Sequence, residues 1–352
     1  MRYLNIKHIL TAFAIISMVP MAQAGNPDRI GEAGSTHLLV NPWARSSGWA
    51  GAFTSGISGV EAMRFNVAGL ATSKNNEFIF SRTNWLQGAD ININSIGMKF
   101  NMGDASVLGA SIMSFDFGDF YRTTEDQPDG TLGSFNSNYT NIGLSYAYAF
   151  SSYTSGGVTL RMVSESIADL NATGVVLDAG IQYRSGKENR FKLGFALRNV
   201  GPSMKFGGSG LEFRAVKEGD DNATGKTVQS RSQSFELPSL LNIGVGYDFF
   251  LDDAGISKLT LAGNFMANSF GRDNIQVGAE YNYKNTLMLR AGYGYEQGIN
   301  DPSVTTSVFA GPSAGATFQA EAGEAFNIGL DYSYRLTQAY NGVHSLGVKI
   351  GF

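Results

Sequence analysis

The last ten residues, Val343 to Phe352 (VHSLGVKIGF), constrain the fold more than any other stretch of the chain. In an extended conformation Leu346, Val348, Ile350 and Phe352 share one face, and Gly347, Lys349 and Gly351 share the other. A strand with one apolar face, one small or charged face and an aromatic last residue is the form expected to close a bacterial outer-membrane β-barrel. One alternating strand suits any half-buried sheet as well, so the reading depends on whether the pattern recurs.

It recurs along most of the chain. Val158, Leu160 and Met162 oppose Thr159 and Arg161; Val175, Leu177, Ala179, Ile181 and Tyr183 oppose Asp178, Gly180, Gln182 and Arg184. Phe191 to Leu197, Val277 to Tyr283 and Ile328 to Tyr334 repeat the design. The pattern predicts an all-β fold with strands near 76–85, 92–101, 105–115, 137–150, 156–166, 173–184, 191–199, 238–250, 257–267, 273–283, 286–296, 313–319, 326–335 and 343–352. Most approach the about 9–11 residues that cross a bilayer as a tilted strand. Their number is even, as in single-chain bacterial barrels. Strands 76–85 and 105–115 alternate poorly, and 313–319 is the least defined.

Local alternation does not separate a soluble sandwich from a membrane barrel, but loop lengths do. With Phe352 placed in the periplasm, the long connections 116–136, 200–237 and 297–312 all fall outside. The short ones, 102–104, 151–155, 185–190, 251–256 and 284–285, all fall inside. Short periplasmic turns with longer external loops are the asymmetry of outer-membrane barrels, and a sandwich has no reason to sort its loops. Tyr146, Tyr148, Phe150, Tyr247, Phe249, Tyr281 and Tyr283 then sit at periplasmic strand ends, and Tyr293, Tyr295, Tyr332 and Tyr334 at external ends. Two aromatic girdles are expected at the two interfaces. The expected architecture is a transmembrane antiparallel β-barrel of about fourteen strands over 76–352, its outer face in lipid or lipopolysaccharide and both termini periplasmic.

The front end agrees. Arg2 and Lys7 precede an apolar run from Ile9 to Val19 and then Ala22-Gln23-Ala24, the pattern of a secretory signal peptide over 1–24. Without that segment the net charge moves from −4 to −6, which argues against a nucleic-acid partner. The absence of cysteine excludes disulfides, thiolate metal sites and a cysteine nucleophile. No catalytic constellation is present: His8, His37 and His344 have no metal-ligand spacing, and no Gly-x-Ser-x-Gly elbow occurs. No enzyme activity, cofactor or metal is expected.

Residues 25–75 do not alternate. Asn41 to Ala71 is rich in Gly, Ala and Ser, with a short helix expected around Val60–Phe65. The segment suits either a plug folded into the barrel or a periplasmic extension below it. Arg161, Asp178, Arg184, Lys192, Arg198, Asp248, Glu280, Arg290, Asp331, Arg335 and Lys349 all fall on the expected lumen face. A packed lumen of internal ion pairs accounts for them more simply than a hydrated solute path.

Three stretches together resemble the PorV/PorQ family. Ala44-Arg45 with Gly48 and Gly51-Ala52, then Asn66-Val67-Ala68-Gly69-Leu70-Ala71, is similar to that family's N-terminal motifs, although Val67 stands where a proline is usual and Trp43 and Trp49 depart from the first motif. Leu197-Arg198-Asn199-Val200-Gly201-Pro202 with Leu237-Pro238 resembles the pair flanking its long loop, and the close from Gly342 resembles its last strand. The resemblance implies a FadL-like barrel with a plugged lumen, a Bacteroidota-type outer membrane and a role in type IX secretion. Implied partners are an SprA-like translocon and secreted proteins with C-terminal signal domains, or the cell-surface attachment complex. Arg45, Gly51, Asn66, Gly69 and Leu70 become plug-motif candidates, and Phe206, Leu211, Phe213 and Phe235 become partner-contact candidates in the long loop. That loop could instead fold back to cap the barrel. Two rival functions remain open here: a FadL-like channel for hydrophobic small molecules, and a soluble periplasmic or surface β-protein.

Overall fold

The computed structural model describes residues 25–216, 225–252, 254–301, 303–323 and 326–352; the expected signal peptide lies outside them. Its strands are β1 (Glu77–Trp85), β2 (Ile91–Met102), β3 (Ser106–Tyr121), β4 (Ser134–Ala149), β5 (Thr154–Ile167), β6 (Leu170–Ser185), β7 (Phe191–Val200), β8 (Met204–Lys205), β9 (Glu212–Ala215), β10 (Lys226–Gln229), β11 (Ser234–Phe235), β12 (Leu240–Phe250), β13 (Ser257–Asn268), β14 (Asn274–Tyr283), β15 (Leu287–Glu296), β16 (Phe309–Ala322), β17 (Phe326–Thr337) and β18 (Val343–Gly351). Fourteen of them, all but β8 to β11, form one closed barrel. Each pairs antiparallel with its neighbours, and β1 closes on β18 with Glu77 opposite Gly351 and Phe78 opposite Ile350. The closing strand is therefore the one that carries the apolar-out pattern of the chain's end. Closure leaves no barrel edge with unpaired N–H and C=O groups, which an apolar surround requires.

Side chains divide by parity. Leu144, Tyr146, Val158, Leu160, Val175, Leu177, Val277, Leu330 and Leu346 are exposed on the outer face, whereas Ser145, Thr159, Arg161, Asp178, Gln276, Asp331 and Ser345 are buried inside. The barrel thus wears its apolar residues outward in a continuous band and keeps its polar residues within. Glu77 and Gly351 lie at the end that carries the short turns, and the connections 122–133, 201–239 and 297–308 lie at the other.

The poorly alternating strands expected at 76–85 and 105–115 are both in the wall, but β3 to β6 run further than expected. β3, β4 and β6 have 16 residues each and β5 has 14. The reason is an inversion of sidedness along one strand. In β4 the outer face changes from Ile142, Leu144, Tyr146 and Tyr148 to Thr140, Asn138 and Asn136. The inner face changes the opposite way, from Ser145 and Asn141 to Tyr139. Toward the long-loop end the wall therefore leaves the apolar surround and gains an apolar interior, where Leu38, Ile93, Phe115, Tyr139, Val163, Val176, Met204 and Leu237 form one buried cluster. β16 is also longer than the expected 313–319, because a register shift between Phe309 and Ser313 hides its continuation from a strict two-residue pattern.

Residues 36–73 occupy the lumen. They form short helical turns at Thr36–Leu39, Ala44–Ser47, Ala62–Phe65 and Val67–Thr72. Their backbone meets the inner wall where strands carry no side chain. A Cβ on Gly292 would lie 2.5 Å from the Trp49 carbonyl carbon, and one on Gly315 would lie 3.2 Å from the Gly48 Cα. Gly97, Gly180, Gly194 and Gly278 give the same clearance to Val60, Asn66, Thr54 and Trp49. Gly329, also inward-facing, has no neighbour closer than 3.7 Å. Gly292→Ala should therefore destabilise the folded barrel by about 1–3 kcal/mol, the usual cost of overpacking. Gly329→Ala should leave it unchanged. Urea midpoints of the refolded barrel, read by heat-modifiable mobility, separate the two; equal midpoints would remove the steric account.

Candidate functional site

The lumen is held together by buried polar contacts between the N-terminal segment and the wall. Asn66 caps the turn at Val67–Thr72 by accepting from the Ala68 N–H (3.3 Å), and its amide donates to the carbonyls of Thr54 (3.2 Å) and Ile181 (3.0 Å). A Cβ on Gly69 would lie 2.1 Å from the Ile57 carbonyl, and Leu70 is fully buried. Lys99, on β2, donates to the carbonyls of Leu70 (3.3 Å) and Ser73 (2.6 Å) and ties down the segment's exit. Arg45 reaches Glu280 on β14 (3.6 Å), which also pairs with Arg290 on β15 (2.6 Å). Arg290 donates to Thr317 (2.6 Å), whose hydroxyl donates to Asp331. Gly51, at φ +90°, turns the chain beside Gln276. Glycine is the residue that adopts this φ without strain.

The plug-motif candidates thus fall into two places. Asn66, Gly69 and Leu70 meet at the wall near β2 to β6, while Arg45 and Gly51 lie toward β14 and β15. The charges assigned to the lumen face pair across neighbouring strands: Arg161 with Asp178 (2.6 Å) and Lys192 with Asp248 (2.6 Å), besides Arg290 with Glu280.

The stretches flanking the long loop meet in one network. Arg161 donates to Asp178 (2.6 Å) and to the Asn199 side-chain oxygen (2.5 Å). Asn199, at φ +61°, donates its backbone N–H to Asp178 (2.6 Å) and its amide to the carbonyls of Pro238 (2.9 Å) and Leu38 (3.4 Å). Asparagine tolerates this left-handed conformation better than most residues. One side chain thereby joins the end of β7, the return of the loop and the start of the lumen segment. Nearby, Ser35 donates to Glu165 (2.5 Å), and the His37 ring lies among Phe115, Phe117 and Tyr139 at 4.9–5.3 Å between centroids.

The loop between β7 and β12 has two parts. Its roots fold back: β8 pairs with β11, Phe206 and Phe235 pack together (5.7 Å), and Met204 and Leu237 join the apolar cluster beneath. Its middle forms a hairpin, β9 with β10, where Phe213 sits opposite Val228. Phe213 is 51 % exposed and Val228 41 %. Leu211 is half-buried at the hairpin's base. Phe206 and Phe235 are therefore brought together as cap residues, and Phe213 stands apart at the surface. The loop's residues 217–224 lie outside the described residues.

Between this end and the lumen segment lies a cavity of about 510 Å³, bounded by Ala50, Gly51, Phe65, Trp85, Arg198, Phe309 and Arg335 among others. A second, of about 580 Å³, opens at the short-turn end around Thr72, Lys74, Asn101, Ser152 and Arg184. Neither was legible in the sequence. Arg198 and Arg335 were assigned to the lumen face, but nothing in their spacing showed that they line one chamber.

The family model described as type IX secretion system membrane protein PorP/SprF matches residues 131–350. No curated protein matches the chain. Among solved structures, the toluene transporter TodX of Pseudomonas putida aligns with TM-score 0.56 at 15 % identity, covering 89 % of this chain and 98 % of that one. The monoaromatic hydrocarbon channel CymD aligns with TM-score 0.52 at 14 % identity, over 89 % of this chain and 97 % of that one. A Pseudomonas aeruginosa FadL homologue aligns with TM-score 0.51 at 12 % identity, over 88 % and 96 %. At such identities the likeness is one of fold: a FadL-like outer-membrane barrel.

The Arg161–Asp178–Asn199 network carries its own test. Asp178→Ala leaves a buried guanidinium without its anion, and should cost about 3–5 kcal/mol in urea unfolding of the reconstituted barrel. Adding Arg161→Met to that variant should recover part of the loss. No recovery in the double variant would mean that Asp178 acts through Asn199 alone.

Proposed function

Because the chain belongs to the PorP/SprF family of type IX secretion system membrane proteins, we propose that it engages other proteins of that secretion route through its long-loop end. The short-turn end and Phe352 then face the periplasm. The first described residues do not, contrary to the expectation of two periplasmic ends, because Asn26 donates to the Asn268 carbonyl (3.2 Å), Arg29 pairs with Glu236 (2.8 Å) and Gly34 donates to the Glu236 carbonyl (3.0 Å), all at the long-loop end. The partners proposed are the translocon, secreted proteins bearing C-terminal signal domains, or the surface attachment complex. The finer likeness to PorV/PorQ members rests on motifs at 44–71, which lie outside the matched 131–350, and at 197–202 with 237–238, which lie within it.

The observation that carries this reading is the division of the long loop. Its roots are spent on capping the barrel, while the hairpin Glu212–Gln229 presents Phe213 and Val228 to solvent. Apolar side chains held at a surface on a two-stranded ribbon serve no packing need of the barrel, and exposed aromatics are frequent anchors at protein interfaces. Retrieval of a hydrocarbon channel's function from the fold alone is less well supported. The lumen segment is packed against the wall with buried ion pairs, which opposes a continuous apolar path.

Deletion of 212–229 tests the reading, because it spares Met204, Phe206, Phe235 and Leu237. The barrel should assemble and remain heat-modifiable, while co-purification of secretion partners from native membranes falls by about tenfold or more, as expected when an interface loses hot-spot residues. Undiminished partner recovery with an assembled barrel would refute the assignment.

A further inference from the structure

Arg198 and Arg335 enter the long-loop-end cavity from β7 and β17, strands well separated around the barrel. Each guanidinium lies on a phenylalanine ring: Arg335 on Phe309, with 3.3 Å from its central carbon to the ring centroid, and Arg198 on Phe65 at 5.6 Å. Arg198 is only 5 % exposed. The Nε of each has no hydrogen-bond partner among the described residues. Asp178, the carboxylate whose charge acts on Arg198, already accepts from Arg161 and from the Asn199 N–H. The cavity's own acid, Glu296, is held by the N–H and hydroxyl of Thr306 (3.0 and 2.6 Å).

Cations taken out of water need an anion or dense hydrogen bonding, and these two have aromatic rings instead. The rest of the chamber is unlike a hydrocarbon site. Asn41, Asn242, Asn268, Asn274 and Gln276 line it, and the Asn242 Nδ2 and Asn274 Oδ1 have no partner among the described residues. Side-chain amides offer both donors and acceptors, which suits hydroxyl groups better than alkyl chains. A volume of about 510 Å³ falls within the range of small-molecule sites.

We propose that this cavity binds an acidic saccharide: a sugar whose carboxylate is taken by Arg198 or Arg335 and whose hydroxyls are taken by the amide-lined wall. The guanidinium fork matches a carboxylate with two parallel hydrogen bonds. The Phe309 ring, 3.3 Å from the central carbon of Arg335, covers one side of that guanidinium and leaves its N–H groups to a ligand, while Phe65 lies further off from Arg198 at 5.6 Å. The site is independent of the hairpin Glu212–Gln229 and of any protein partner it takes.

The test uses the full-length barrel in detergent and three probes, followed by calorimetry and by the emission of Trp85, which lines the cavity. D-galacturonate carries both charge and hydroxyls, D-galactose only hydroxyls, and hexanoate only charge on an alkyl chain. Galacturonate should saturate and bind at least about tenfold more tightly than either of the others. At least one of Arg198→Gln and Arg335→Gln, the one that removes the carboxylate's fork, should weaken it by about tenfold, the loss expected of one charge-assisted contact. Where that residue is Arg335, Arg335→Lys, which keeps the charge but not the fork, should fall between. Failure of galacturonate to saturate, equal or tighter binding of hexanoate, or indifference to both glutamine variants would overturn the proposal. Heat-modifiable mobility confirms that each variant is folded, and should a variant fail to fold, the ranking of the three probes on the unaltered protein decides.

Discussion

The packing of backbone against backbone inside the barrel is the constraint on which the rest of this structure depends. A closed ring of fourteen strands encloses more space than its own small inner side chains can fill. Residues 36–73 fill it, and they can do so only because glycines at the right parity leave bare strips on the wall. Gly48 lies against Gly315, and Trp49 lies between Gly278 and Gly292. Where the strips end, charge takes over. Arg45 reaches Glu280, Lys99 holds the carbonyls of Leu70 and Ser73, and Asn66 reaches the carbonyl of Ile181. Steric fit places the segment, and buried hydrogen bonds fix its register.

The same economy explains the long-loop end. The wall of β3 to β6 rises beyond the apolar band, so its outer face turns polar and its inner face apolar. That inner face needs a cover. Leu38 supplies it from the lumen segment, and Met204, Phe206, Phe235 and Leu237 supply it from the loop. Asn199 joins these two contributors through the carbonyls of Leu38 and Pro238. The loop's roots are therefore part of the core, and only the hairpin between them is free to meet something else.

Much of this architecture was legible in the chain itself. A period of two survives wherever one face meets an apolar surround, so all fourteen wall strands could be placed, and fixing one end sorted the long loops together. Legibility failed where the surround changed. Above the band, Asn136 on β4 and residues 116–121 on β3 read as loop, although they continue strands of the wall. At β16 the irregular pairing between Phe309 and Ser313 interrupts the period and shortens the visible strand. In the loop, Phe206, Phe213 and Phe235 look alike in sequence. Two are anchors and one is exposed, and only the pairing of β8 with β11 separates them.

What the sequence alone determined was sidedness: which residues face outward, which face inward, and which connections share an end. Those properties follow from the strand's own geometry and require no knowledge of neighbours. What tertiary structure decided was meeting. The inward charges became specific ion pairs, the glycines became the bed of the lumen segment, and Arg198 and Arg335 became two walls of one chamber. Such encounters depend on strand register and on the path of residues 36–73 across the barrel. Alternation within a strand carries no information about either.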